Sequence, residues 1–270
     1  MLRNCFKHGK LPASTGWQWV KQGFALFRKQ PGGMSMLFLG YMFCMLAVSI
    51  VPVLGQLLPV ILVPVFSVAF VQGCLHIDQG KRVLPSLLIS GFRKPAFASL
   101  FGLGVLYILM AILAIGAATL VDDGLLWQLV TGQLTEEAAR AVIPESRLGL
   151  GILLAIVLYV PAAMAFCFAA PLIYWKKTGL GKSLFFSFFA VWRSLSAFIV
   201  FASTWFAISI VTSQLLALIF GRTPMMMQLM LPLSMILTII MHCSFYAAYR
   251  QIFGVPVEES KTVSLDKTGE

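Results

Sequence analysis

Charge is scarce in this 270-residue chain: Asp, Glu, Lys and Arg make up 11% of it, against about a quarter in soluble domains. With 59% apolar residues and a mean hydropathy of +0.90, that deficit excludes a soluble globular protein and defines an integral membrane chain. Acid is the scarcer sign, 10 residues against 20 Lys and Arg, for a net charge of +10. Such an excess is one mark of nucleic-acid binding, but here the basic residues are scattered through short connections between apolar runs. There they act as topology determinants and anionic-lipid contacts, and no nucleic-acid partner is expected.

Other absences narrow the reading. The five cysteines, Cys5, Cys44, Cys74, Cys167 and Cys243, are too few and wrongly placed for a disulfide framework. No small-residue cleavage site follows the first apolar run, which begins only after six Lys or Arg, so an uncleaved start is expected rather than a secretory leader. Period-two alternation is missing, which excludes an outer-membrane barrel. No Asp, Glu, Lys or Arg falls in the middle of an apolar run. Ion-coupled transporters keep such a group inside the bundle, so the absence weighs against ion-driven transport. No GxSxG, HExxH, CxxC or phosphate-binding glycine loop occurs, and Ser183 and Ser187 have no histidine placed to activate them. No catalytic residue and no cofactor is expected.

What is present is six long apolar runs, near residues 34–53, 57–76, 97–121, 148–175, 195–220 and 225–249. Backbone in hydrocarbon must satisfy its own hydrogen bonds, so runs of about twenty residues are α-helical spans. Spans one and two are joined by little more than Leu54, Gly55 and Gln56. Spans five and six are joined by Gly221 to Pro224, where Thr223 suits a helix cap and Pro224 a first helical position. Residues 122–147 form a longer excursion with five acidic residues and two Arg. Seventeen Lys and Arg lie in the N-terminal arm, the 77–96 and 176–194 connections and the tail, and three in the remaining connections. The positive-inside rule therefore predicts cytoplasmic termini, an acidic excursion outside, and a polar, disordered tail over 256–270.

The stretch GWQWVKQGFALFRKQP, residues 16–31, precedes the first span. Trp17, Val20, Phe24 and Phe27 recur every three or four residues, with Gln18, Lys21, Gln22, Arg28 and Lys29 on much of the remainder. That pattern predicts a helix lying in the headgroup layer, anchored by Trp17, Trp19, Phe24 and Phe27. Related stretches precede spans three and five. Leu84, Leu87, Leu88 and Phe92 form an edge before Arg93 and Lys94, while Ser183, Ser187, Ala190 and Ser194 form a small stripe in a helix ending at Trp192-Arg193. The expectation is three repeats of interfacial helix plus hairpin, the helices near residues 15–30, 84–94 and 181–193. A generic belt of aromatic and basic residues would supply the same residue types without a repeat. Lys21, Arg28, Lys29, Arg93, Lys94, Lys176, Lys177, Lys182 and Arg193 then form a basic collar for anionic headgroups or a membrane-protein partner, with Phe92 and Trp192 as further anchors.

Cys74 and His76 near the end of span two, with His242 and Cys243 in span six, are the one gathering of metal-ligand types. Residues two apart on a helix diverge, so buried thiols and a hydrogen-bonded histidine are expected instead of a metal. Met225, Met226, Met227 and Met230 read as apolar filler. Pro52, Pro59, Pro64, Pro161, Pro171 and Pro232 lie in or beside spans, and Gly151 with Ala155 and Ala165 with Ala169 offer small faces for close packing.

Gly16, Trp17, Trp19, Gly23, Leu26, Phe27, Arg28, Lys29 and Pro31, followed by six spans, resemble the G-W-x-W-x-x-x-G-x-x-L-F-R-K-x-P pattern of an uncharacterised family of betaproteobacterial inner-membrane proteins. More distantly, the chain is similar to six-span membrane domains attached to some glycerophosphodiester phosphodiesterases. The resemblance implies an inner-membrane location and brings no activity. Three two-span repeats also invite comparison with mitochondrial carriers, but the Pro-x-acid-x-x-base signature is absent from the odd spans. The sequence reading is thus an all-α, polytopic, non-enzymatic scaffold, assembly factor or accessory subunit that organises anionic lipid. Its alternative is a passive or partner-driven transporter of a lipid or apolar solute.

Overall fold

The computed structural model describes residues 11–52, 54–133, 147–221 and 223–256. It is all-α among these residues, with six helices long and apolar enough to cross a membrane. A first helix, α1 (Ser14–Lys29), precedes the hairpin of α2 (Pro31–Ser49) and α3 (Leu54–Asp78). A 3-10 segment, Pro85–Phe92, leads into α4 (Ala96–Asp122) and the short α5 (Leu125–Val130). The return span is α6 (Leu148–Cys167), continued by α7 (Ala169–Lys176). Then α8 (Leu180–Arg193) precedes the hairpin of α9 (Leu195–Phe220) and α10 (Pro224–Phe253). Of the acidic excursion, 134–146 lie outside the described residues, as do 257–270 of the polar tail.

Three short elements thus alternate with three hairpins, and each packs chiefly on the hairpin before it. The 3-10 segment lies on α3 and α2, α8 lies on α6 and α7, and α1, the first described helix, lies on α10 and α9. The order is cyclic, and α1 closes it.

One expectation needs correcting and another gains a detail. The second interfacial element is not an amphipathic α-helix: it is a 3-10 turn stack begun by Pro85, with Leu88, Ser90 and Gly91 buried. Gly91 presses on the Val65 backbone of α3, where a Cβ would collide. The tighter 3-10 winding repeats every three residues, which suits Leu88 and Gly91 on one inward row. The fourth span, Leu148–Lys176, is of membrane length as expected, but its helix is interrupted once. It breaks at Phe168, where the Ser187 hydroxyl of α8 enters the helix ladder, donating to the Met164 carbonyl at 2.9 Å and accepting from the Phe168 N–H at 2.8 Å. The new helix tolerates Pro171 because its first turn needs no internal N–H donors.

Burial is concentrated at one end. On α10 the buried residues run from Ile239 to Tyr249, on α2 from Met34 to Phe38, and α9 buries only Ala197 and Trp205. α3 is the most enclosed span. The hairpins converge where the even-numbered spans end; the opposite halves of the first and third present apolar side chains outward, as lipid-facing helices do, whereas the second also packs at its far end, burying Ala114, Ala118 and Asp122 of α4 and Leu148 and Gly151 of α6.

Candidate functional site

The converging end is also the basic end. Lys21, Arg28 and Lys29 sit on α1; Arg93 and Lys94 join the 3-10 segment to α4; Lys176 and Lys177 end α7; Lys182 and Arg193 belong to α8. All nine lie where odd-numbered spans begin or even-numbered spans end. Lys21 places its Nζ 5.4 Å from the Trp17 ring centre, and Lys176 donates to the Phe253 carbonyl at 3.3 Å. At the opposite end, the Asp122 carboxylate accepts the N–H groups of Gly124 and Leu126, both at 3.0 Å, and caps α5.

The aromatic anchors divide into two groups. Trp17 is 46% exposed and Trp192 59%, positions suited to an interface, and Phe24 and Phe92 are also partly open. Phe24 stacks on Trp205 of α9 at 6.2 Å, and Phe92 packs edge-on against Phe66 at 5.3 Å. Phe27 is half-buried against the core. Trp19 does not anchor the helix in lipid: it is 0% exposed, donates its indole N–H to Gln251 Oε1 at 2.6 Å, and meets Phe198 and Phe201 edge-on. The face of α1 that faces protein comprises Gly16, Trp19, Val20, Gly23 and Leu26. It is rotated from the Trp17, Val20, Phe24, Phe27 edge because close approach to Ser244 of α10 needs the missing side chain of Gly23.

Sequence reasoning missed the polar network at the centre of this end. Asp78, at the end of α3, accepts from Arg250 at 2.8 Å on both carboxylate oxygens and from the Tyr246 hydroxyl at 3.2 Å. Arg250 also reaches Gln22 of α1 at 3.4 Å, and Trp175 of α7 donates to Gln72 of α3 at 2.8 Å. The three even-numbered spans and α1 are therefore tied together by hydrogen bonds toward this end. A signal existed: Asp78 is the only acidic residue in the N-terminal arm and the 77–96 and 176–194 connections. A lone acid among basic neighbours is a natural internal partner.

The gathering of thiols and imidazoles separates. Cys74 and Cys243 come together, Sγ to Sγ 3.5 Å, whereas His76 turns to the Arg82 carbonyl at 3.4 Å and His242 to the Thr238 carbonyl at 2.8 Å, its ring 4.7 Å from that of Phe70. Among the described residues no three His, Cys, Asp or Glu side chains are grouped to hold a metal.

Six apolar helices converging on a basic, hydrogen-bonded end define a polytopic all-α membrane protein. The chain is 37% identical over 252 residues to a protein of Burkholderia thailandensis named a probable inner membrane protein, covering 91% of this chain and 93% of that one. It belongs to the same family of inner-membrane proteins. No family model matches the chain, and no solved structure does.

Proposed function

We propose that this chain is a non-enzymatic inner-membrane scaffold or accessory subunit that gathers anionic lipid headgroups against its basic end, with that end toward the cytoplasm. The observation that carries the reading is the electrostatic asymmetry. Nine Lys and Arg side chains border the converging end, and the carboxylate set among them, Asp78, is taken by Arg250. Each basic group near the surface adds about 1 kcal/mol of attraction to anionic lipid. The network of Asp78, Tyr246 and Arg250, seated where the even-numbered spans meet, favours a binding role over an open route through the bundle.

Replacing Lys21, Arg28 and Lys29 together by Gln is expected to weaken association with phosphatidylglycerol on the order of a hundredfold, from three contacts of about 1 kcal/mol each. The readout is lipid phosphate retained per protein after purification in mild detergent, and an unchanged amount sinks the proposal. Amide exchange across α1 should stay slow in that variant, because its buried face, not its charges, holds the helix.

Orientation has its own test. A cysteine at Glu137 is expected to react with a membrane-impermeant maleimide on intact spheroplasts, and one at Lys29 only after lysis. The reverse pattern would turn the protein over and place the collar outside.

A further inference from the structure

Cys74 and Cys243 sit on different spans, 169 residues apart in sequence, with sulfurs in contact at 3.5 Å and neither side chain exposed. They share the seam between α3 and α10 with the polar network. Cys74 lies one turn before Asp78, and Cys243 lies one turn before Tyr246 and two before Arg250. The seam thus carries, on successive turns, a sulfur pair, a tyrosine–aspartate bond and an ion pair. Cys44, on α2, and Cys167, at the end of α6, lie elsewhere.

We propose that Cys74 and Cys243 are a reversible dithiol–disulfide pair that locks α3 to α10 when a small neutral peroxide enters the membrane. The geometry requires the sulfurs to close to about 2.05 Å, and the two helices already direct them at each other. Hydrogen peroxide oxidises one thiol to the sulfenic acid and leaves as water. The second thiol then attacks that sulfur, an S–S bond forms, and the sulfenic oxygen departs as a second water. Two thiols and one peroxide become one disulfide and two waters, with each sulfur oxidised by one electron.

The environment selects this product over a metal complex. A soft monovalent cation held by two thiolates would leave a net negative charge in a seam without solvent, whereas the disulfide is neutral. No third ligand of the His, Cys, Asp or Glu type is grouped with the pair among the described residues.

The test uses the full chain in detergent, treated with hydrogen peroxide, unfolded in SDS and alkylated. Two of the five thiols should become unreactive, the intact mass before alkylation should fall by two hydrogens, and the peptides holding Cys74 and Cys243 should be recovered linked. Dithiothreitol should restore both thiols. The oxidised protein should also melt at a higher temperature than the reduced one. Cys74→Ser and Cys243→Ser should each abolish the link and the shift, and a variant with Cys5, Cys44 and Cys167 all changed to Ser should keep both. If either seam variant fails to fold, the triple variant and the wild type decide alone. Persistence of both thiols at peroxide levels that oxidise the SDS-unfolded chain overturns the proposal. So does indiscriminate pairing with Cys44 or Cys167, or accumulation of sulfinic acid without a link.

Discussion

Trp19→Ala is expected to destabilise the protein by about 4 kcal/mol, the usual cost of emptying a fully enclosed tryptophan site, whereas Trp17→Ala, two residues away, should cost under about 0.5 kcal/mol. The contrast follows from position. Trp19 has no exposed surface and satisfies its indole N–H on Gln251. Its removal leaves a void between α1, α9 and α10 and an unpaired amide oxygen. Trp17 is nearly half exposed and gives little beyond its contact with Lys21. Reversible unfolding in mixed micelles, followed by tryptophan fluorescence or circular dichroism, measures both. Equal effects of the two substitutions would return α1 to the lipid interface and remove it from the core.

The second large effect should come from Gly104. On α4 this residue lies against the Ile61 backbone of α3, so near that an added Cβ would overlap the carbonyl. Gly104→Leu must push the first and second hairpins apart, and overpacking of this kind costs about 3 kcal/mol or more. Gly116, on the same helix, has nothing within 4 Å of the corresponding position, and Gly116→Leu is expected to be neutral. Size-exclusion profiles and melting temperatures of the two variants give the comparison. Loss of the monodisperse peak in both would place Gly116 in a contact between chains.

How far the sequence foretold this fold depends on which physical constraint was at work. Span number followed from the demand that backbone in hydrocarbon bond to itself, and six runs became six membrane-length helices. The inward face of α1 was less legible because two sets of residues share the helical period. Trp17, Val20, Phe24 and Phe27 stand out by hydrophobicity, but Thr15, Gly16, Trp19, Val20, Gly23 and Leu26 are the ones buried. In a bilayer apolar area does not distinguish protein from lipid; close backbone approach does, so small residues were the better guide. The small stripe on α8 was of that kind, and Ser183 and Ser187 are indeed fully buried. The same hydroxyls explain what an apolar run conceals, since the break at Phe168 depends on Ser187 from another helix. The Asp78–Arg250 pair was hidden differently, its two members being 172 residues apart.

The cyclic packing order bears on how the chain is made. The helix α1 leaves the ribosome before α2 to α10, yet the surface that covers Gly16, Trp19, Val20 and Gly23 belongs to the α9–α10 hairpin. Until α9 and α10 are in place, α1 lacks the surface that buries Trp19. The Gln22–Arg250 and Trp19–Gln251 bonds then join α1 to α10, 228 and 232 residues apart in sequence. Such long-range closure is slow compared with pairing neighbouring spans. A chain interrupted before α9 and α10 therefore leaves Trp19 and the glycines beside it without their cover.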